Sequence, residues 1–225
     1  MFYSRKKTQT WPQDTRFVVM IGGSGMLGKL LLEKKPPHIF FMNVSRRLSF
    51  SHTPSYSTLS ADIASTRPKK LFSRILSQIP RIDCLVYGAY ACHFTLIDKL
   101  TKEEFLKEYT VTLEAPLLLF QEYLHYCKEN KDENIPKKII TIGSGVYKET
   151  SIFRKDLASY ALLKAGQHQL MRALSDKFAE IKVPTIMLHP GSLQETEIAT
   201  QTTKIFWDEV TQTTYREPFT IHEIF

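Results

Sequence analysis

Residues 16–35 read RFVVMIGGSGMLGKLLLEKK. An apolar, β-branched run from Phe17 to Ile21 leads into four glycines within seven residues, Gly22, Gly23, Gly25 and Gly28. An amphipathic segment from Leu27 to Lys35 follows, so the stretch reads as strand, tight turn and helix. Glycines at such a turn let the backbone approach an anionic group, and the free amides at the helix start attract it. The turn Gly22-Gly23-Ser24-Gly25-Met26-Leu27-Gly28 is therefore the expected seat of a dinucleotide pyrophosphate.

The same alternation continues along the chain. Short Val- and Ile-rich runs at Ile39 to Val44, Cys84 to Val86, Ile139 to Ile142 and Thr185 to Leu188 predict buried parallel strands, with a weaker one at Tyr56 to Ser60. Helices are predicted between them at Pro68 to Gln78, Lys102 to Glu129 and Lys155 to Glu180. The pattern specifies a doubly wound, Rossmann-like α/β sheet in one domain over residues 15–225, after a disordered basic tail to about residue 14. Of the nine glycines, Gly88, Gly143, Gly145 and Gly191 also fall just past predicted strands, leaving only Gly166 inside a helix. In an open α/β sheet the carboxyl edge of the strands carries the ligand crevice. Substrate loops are expected there at about 90–101, 145–156 and 192–216, with Tyr90, His93, Tyr147, Phe153 and Trp207 as candidate pocket walls.

Composition mainly excludes. With 24% charged and 43% hydrophobic residues, 225 residues suit one globular domain. Three cysteines without a CxxC pair support neither a disulfide framework nor a zinc knuckle. His93, His125, His168 and His189 lack metal-ligand spacing, so they read as ordinary surface or helix histidines and no metal is expected. A net charge of +7 suits an anionic cofactor, but the run Lys128 to Lys138 mixes signs and reads as a solvated loop, so no nucleic-acid partner is expected. The start lacks the apolar run of a secretory signal, and no stretch approaches the roughly 20 apolar residues of a membrane span. A cytoplasmic protein without a membrane partner is expected, with homo-oligomer contacts through helices 102–129 and 155–180.

The end of the second strand reads NVSRR. Ser45 stands about where an NAD site would place an acidic residue on the ribose hydroxyl, and Arg46 and Arg47 follow. A neutral side chain removes repulsion and a guanidinium can pair with a 2′-phosphate, so NADP(H) is favoured over NAD(H). Asp62 is a candidate for the adenine edge or for capping a loop.

Tyr160 and Lys164, in SYALLKAG, are four residues apart and share one helix face. A nearby ammonium favours phenolate, so the tyrosine pKa is expected to fall from near 10 and Tyr160 to act as a general acid or base. Tyr3 and Lys7 have the same spacing, so context must decide. The glycine turn, the strand IITIGS ending at Ser144, the helix of Tyr160 and Lys164, and His189-Pro190-Gly191 occur in an order that resembles the short-chain dehydrogenase/reductase family over about residues 16–196. The resemblance implies that Tyr160 exchanges a proton with the substrate oxygen, Lys164 binds the nicotinamide ribose, Ser144 hydrogen-bonds the reacting oxygen, and Pro190 and Gly191 pass the nicotinamide. It also places Gly88 and Ala89 against the cofactor.

Departures from the family pattern are expected to matter. Tyr87-Gly88-Ala89-Tyr90 stands where the family has Asn-Asn-Ala-Gly, and Thr112 stands at its fourth-helix asparagine. Only 37 residues follow Leu188 and no glycine follows Gly191, so the final strand is expected to be missing or altered. The implied function is NADP(H)-dependent interconversion of a small-molecule carbonyl and hydroxyl, with Ser144, Tyr160, Lys164 and Thr112 in the catalytic set. The alternative is a cofactor-binding protein of the same fold with little turnover.

Overall fold

The computed structural model describes residues 10–47, 53–130, 136–147, 155–191, 193, 196–213 and 217–224. Its strands are β1 (Arg16–Ile21), β2 (Ile39–Ser45), β3 (Tyr56–Ser60), β4 (Cys84–Tyr87), β5 (Lys138–Ile142), β6 (Thr185–His189) and β7 (Phe219–Glu223). They form one parallel sheet in the order β3-β2-β1-β4-β5-β6-β7. The apolar runs are continuous because both sheet faces are covered. Along β1, Phe17, Val19 and Ile21 enter one core layer, with residues of α2 (Pro68–Leu76), α4 (Ala115–Glu129) and α5 (Ala158–Ala179). Val18 and Met20 enter the other, with residues of α1 (Met26–Glu33) and α6 (Thr196–Thr211).

The order reverses between β1 and β4, which places the crevice of the fold beside the turn after β1. Gly22 N–H donates to Val44 O and Gly88 N–H to Ile21 O, both at 2.8 Å, so the strand ends around that crevice are locked in register.

Four expectations need correction. The final strand is present: β7 pairs with β6 from Thr185↔Phe219 to His189↔Glu223. It is a half-exposed edge strand whose pairing uses backbone groups, so FTIHE needs no apolar run and no glycine to form it. The expected loop at 192–216 is largely helix α6, and Trp207 is no pocket wall; it is 6% exposed and packs against Phe41 and Phe206 under the sheet. The tail is ordered earlier than residue 14, since the Trp11 ring sits 5.1 Å from Phe17 and 4.5 Å from Phe40; residues 1–9 lie outside the described residues. The single helix expected over 102–129 is α3 (Lys102–Tyr109), a π turn over Thr110–Glu114, and α4.

α3 begins at a reciprocal cap between Thr101 and Glu104. Leu106, Tyr109 and Leu118, on this helical stretch, and Leu162 on α5 are exposed. Among the described residues no helix is long and apolar enough to cross a membrane.

Candidate active site

The carboxyl ends of β1, β4, β5 and β6 bring the glycine turn, the Tyr87–Tyr90 segment, Ser144 and the His189–Gly191 segment to one sheet edge. Gly22 has φ +88°, and a Cβ there would lie 2.6 Å from the Ala89 backbone, so a side chain is excluded both by conformation and by space. Gly25 caps α1 with no side-chain bond, no acidic residue occupies the first turn, and a Cβ on Gly25 would meet nothing within 4 Å. The turn therefore presents unshielded amides to open space, as a diphosphate requires. Gly23, Ser24, Met26, Leu27 and Gly28 complete that turn, with Leu27 and Gly28 buried beneath it.

At the end of β2, Ser45 is buried and its hydroxyl donates to Arg47 O at 2.6 Å, which turns the chain so that Arg46 and Arg47 are exposed beside the turn. Asp62 is exposed and accepts from Ala64 N–H at 3.1 Å, so it serves its own loop. Residues 48–52 lie outside the described residues.

The Tyr160 phenol lies beside the Ser144 hydroxyl, which favours its phenolate form, and Ser144 Oγ accepts from Val146 N–H at 3.3 Å. Desolvation pushes the Tyr160 pKa up to about 12, against the lowering effect of Ser144. This overturns the expected depression by Lys164. The Lys164 Nζ lies 5.7 Å from the Tyr160 ring centroid and points elsewhere, donating to Ile142 O and Gln167 Oε1 at 2.9 Å each. Lys164 is 3% exposed, and desolvation lowers its pKa to about 7. Thr112 sits in the π turn, fully buried, and only its carbonyl joins the group, accepting from Gln167 Nε2 at 3.0 Å. Its hydroxyl has no hydrogen-bond partner among the described residues.

Tyr90, 58% exposed, sets its ring edge-to-face against Tyr160 at 5.7 Å. The following loop is held by Glu108, fully buried on α3, whose Oε1 accepts from His93 N–H at 2.6 Å and lies 3.0 Å from His93 Nδ1. The side chain of Tyr147 and residue Phe153 lie outside the described residues. His168 and His189 are not surface residues. They are buried and stacked at 5.9 Å, and burial lowers the His189 pKa to about 4. Gly143 makes room for the His189 ring, 2.5 Å from where its Cβ would stand. The Ile224 N–H bonds His189 O at 3.1 Å, and Gly191 packs on the Ile224 carbonyl, so the segment after β7 backs the Pro190-Gly191 turn. Glu108, Gln167 and the buried histidine pair were missed from sequence. Gln167 alone left a signal, its three-residue spacing from Lys164.

A family model described as short chain dehydrogenase matches residues 47–205. The chain belongs to the short-chain dehydrogenase family. The match includes Thr112, Ser144, Tyr160 and Lys164 and begins after the glycine turn, which is tied to this oxidoreductase family by fold instead. Comparison with curated proteins gives no match. Among solved structures, a metagenomic short-chain oxidoreductase in complex with NADP is 18% identical with a TM-score of 0.77, covering 93% of this chain and 96% of that one. A short chain dehydrogenase from Leptospira borgpetersenii with bound NAD+ is 19% identical (TM-score 0.74, 98% and 97% covered). A 3-oxoacyl-[acyl-carrier protein] reductase from Brucella melitensis is also 19% identical (TM-score 0.76, 94% and 96% covered). At these identities the likeness is one of short-chain dehydrogenase fold. Among the described residues no group of His, Cys, Asp or Glu is placed to hold a metal.

Proposed function

We propose that the protein reduces a carbonyl to an alcohol with NADPH. The observation that carries this reading is the contact of Tyr160 with Ser144 at the sheet edge that also holds the open glycine turn. The dinucleotide, when bound, supplies the hydride for the carbonyl carbon. The Tyr160 hydroxyl supplies the proton for the carbonyl oxygen, and its raised pKa keeps that proton in place at neutral pH. Ser144 Oγ–H holds the same oxygen, so the carbonyl is oriented before the proton moves. As an ammonium, Lys164 has three donors, of which Ile142 O and Gln167 Oε1 take two. The third is available to a ribose hydroxyl. The exclusion of water around Tyr160 and Lys164 strengthens each of these interactions.

The test is turnover of a carbonyl panel with NADPH by the parent and by Tyr160→Phe. The variant should lose about 10²- to 10⁴-fold in kcat/KM while still binding NADPH. Equal rates would refute the role of Tyr160, and tight binding without turnover by the parent would favour a cofactor-binding protein.

The preference for NADPH rests on the exposed Arg46 and Arg47 beside a neutral Ser45. Removing both guanidiniums, as Arg46→Ala with Arg47→Ala, should cut the ratio of NADPH to NADH affinity about tenfold or more, since charge-assisted bonds to a phosphate are lost. Titration of each cofactor by fluorescence reads the ratio, and an unchanged ratio removes the 2′-phosphate argument.

A further inference from the structure

Two carbonyls of the π turn lose their α-helical partners. Ala115 N–H reaches back five residues to Thr110 O, so it is spent and cannot serve Val111. Position 116, which would serve Thr112 in an α-helix and Val111 in a π-helix, is proline and has no N–H. Side chains from two other elements take over. The Tyr87 hydroxyl donates to Val111 O, and Gln167 Nε2 donates to Thr112 O at 3.0 Å.

The orientation of the Gln167 amide is fixed by its neighbours. The Thr112 carbonyl can only accept and the Lys164 ammonium can only donate, so the NH2 end must face Thr112 and Oε1 must face Lys164. Gln167 is fully buried, which leaves no water to compete for either end. Gly166 permits the approach, because a Cβ there would stand 3.1 Å from Leu113 Cδ1 on the π turn.

We propose that Gln167 is a positioning residue of this site: its side chain joins Lys164 Nζ directly to the Thr112 carbonyl, which Pro116 leaves without its α-helical donor. Lys164 is thereby held between a strand carbonyl, Ile142 O, and the amide of its own helix, at a fixed distance below Tyr160. The inference rests on the reading of Lys164 as part of the Tyr160 site. The titratable groups facing Lys164 are Tyr160 on α5 and His189 on β6, whose charge would oppose that of Lys164.

The experiment uses the full chain labelled with ¹³Cε-lysine and follows the lysine signals by NMR across pH, assigning Lys164 by its loss in Lys164→Met. Gln167→Glu places a carboxylate on the ammonium and should raise the proton affinity of Lys164 about tenfold or more, with little effect on the other lysines. Gln167→Leu removes the acceptor and should lower it by about tenfold. Pro116→Ala returns an N–H to the helix, competes for Thr112 O and should shift Lys164 in the same direction as Gln167→Leu, by less; it serves if Gln167→Leu does not fold. A Lys164 titration unmoved in Gln167→Glu, or unmoved in both other variants, overturns the proposal. Turnover is read in parallel: the pH profile of kcat/KM should move with the Lys164 titration. A parent without turnover on any carbonyl defeats the proposed reaction, while the NMR titration still decides whether Gln167 positions Lys164.

Discussion

Relative to Lys164→Met, the parent protein should gain about 1.4 kcal/mol of unfolding free energy for each pH unit from about 7 towards 10.5. Burial lowers the Lys164 pKa to about 7, whereas the unfolded chain keeps the ordinary value of 10.5. Inside that window the unfolded state binds a proton that the folded state does not, so raising the pH penalises unfolding less for the variant than for the parent. Below pH 7 both states of the parent carry the charge and the penalty of burying it is complete. Above 10.5 neither does. The thiols of Cys84 and Cys127 and the phenol of Tyr160, all pushed up to about 12, act in the opposite sense at alkaline pH. They are present in both proteins and drop out of the difference. The hydrogen bonds lost at Ile142 O and Gln167 Oε1 set the offset between the proteins and leave the slope unchanged. Urea unfolding of both at pH 6 to 10 measures the slope, and a difference that does not vary with pH would remove the lowered proton affinity of Lys164. If Lys164 serves the proposed reaction, the same substitution should also lower turnover, by about 10²-fold.

Gly28→Ala should lower both stability and NADPH affinity, whereas Gly25→Ala should lower affinity alone. A Cβ on Gly28 would stand 2.0 Å from the Gly23 carbonyl oxygen, a contact of backbone with backbone that no rotamer relieves. The turn must move, and overpacking of this kind costs about 1–3 kcal/mol or more. Because the displaced atoms belong to the proposed diphosphate seat, NADPH affinity should fall about 100-fold. A Cβ on Gly25 meets nothing within 4 Å, so the fold should keep its stability to within about 0.5 kcal/mol. It would nevertheless occupy the space in front of the α1 amides, and the affinity should drop about tenfold. Thermal unfolding with NADPH titration separates the two variants. Equal stability losses would mean that the space in front of Gly25 is not open, and unchanged affinity in both would move the cofactor elsewhere.

The two positions also divide what was legible from what was not. The role of the glycines at the strand-to-helix turn is written in a local pattern, because the tight turn and the free amides are properties of residues 21–29 themselves. The shared helix face of Tyr160 and Lys164 is equally local, since four residues set one helical turn. What failed were statements about which particular distant group a side chain would meet. The fall in the Tyr160 pKa was expected from proximity to Lys164, but proximity did not set where Nζ points or how dry the site is. Ile142 O and Gln167 Oε1 decided the first, and burial reversed the sign of the shift. Trp207 looked like a pocket wall by its position after β6, yet α6 carries it to the opposite side of the sheet.

By itself the sequence determined a doubly wound sheet, the order of its elements and the edge where the glycines gather, because apolar periodicity and glycine placement act within one strand or helix. The tertiary structure alone decided that a seventh strand extends the sheet beside β6, that a proline leaves a π-turn carbonyl for Gln167, and that Lys164 is held between Ile142 and Gln167. Backbone pairing at an edge strand needs no particular side chains, and a buried hydrogen bond between residues 55 positions apart leaves no period for a reader to find.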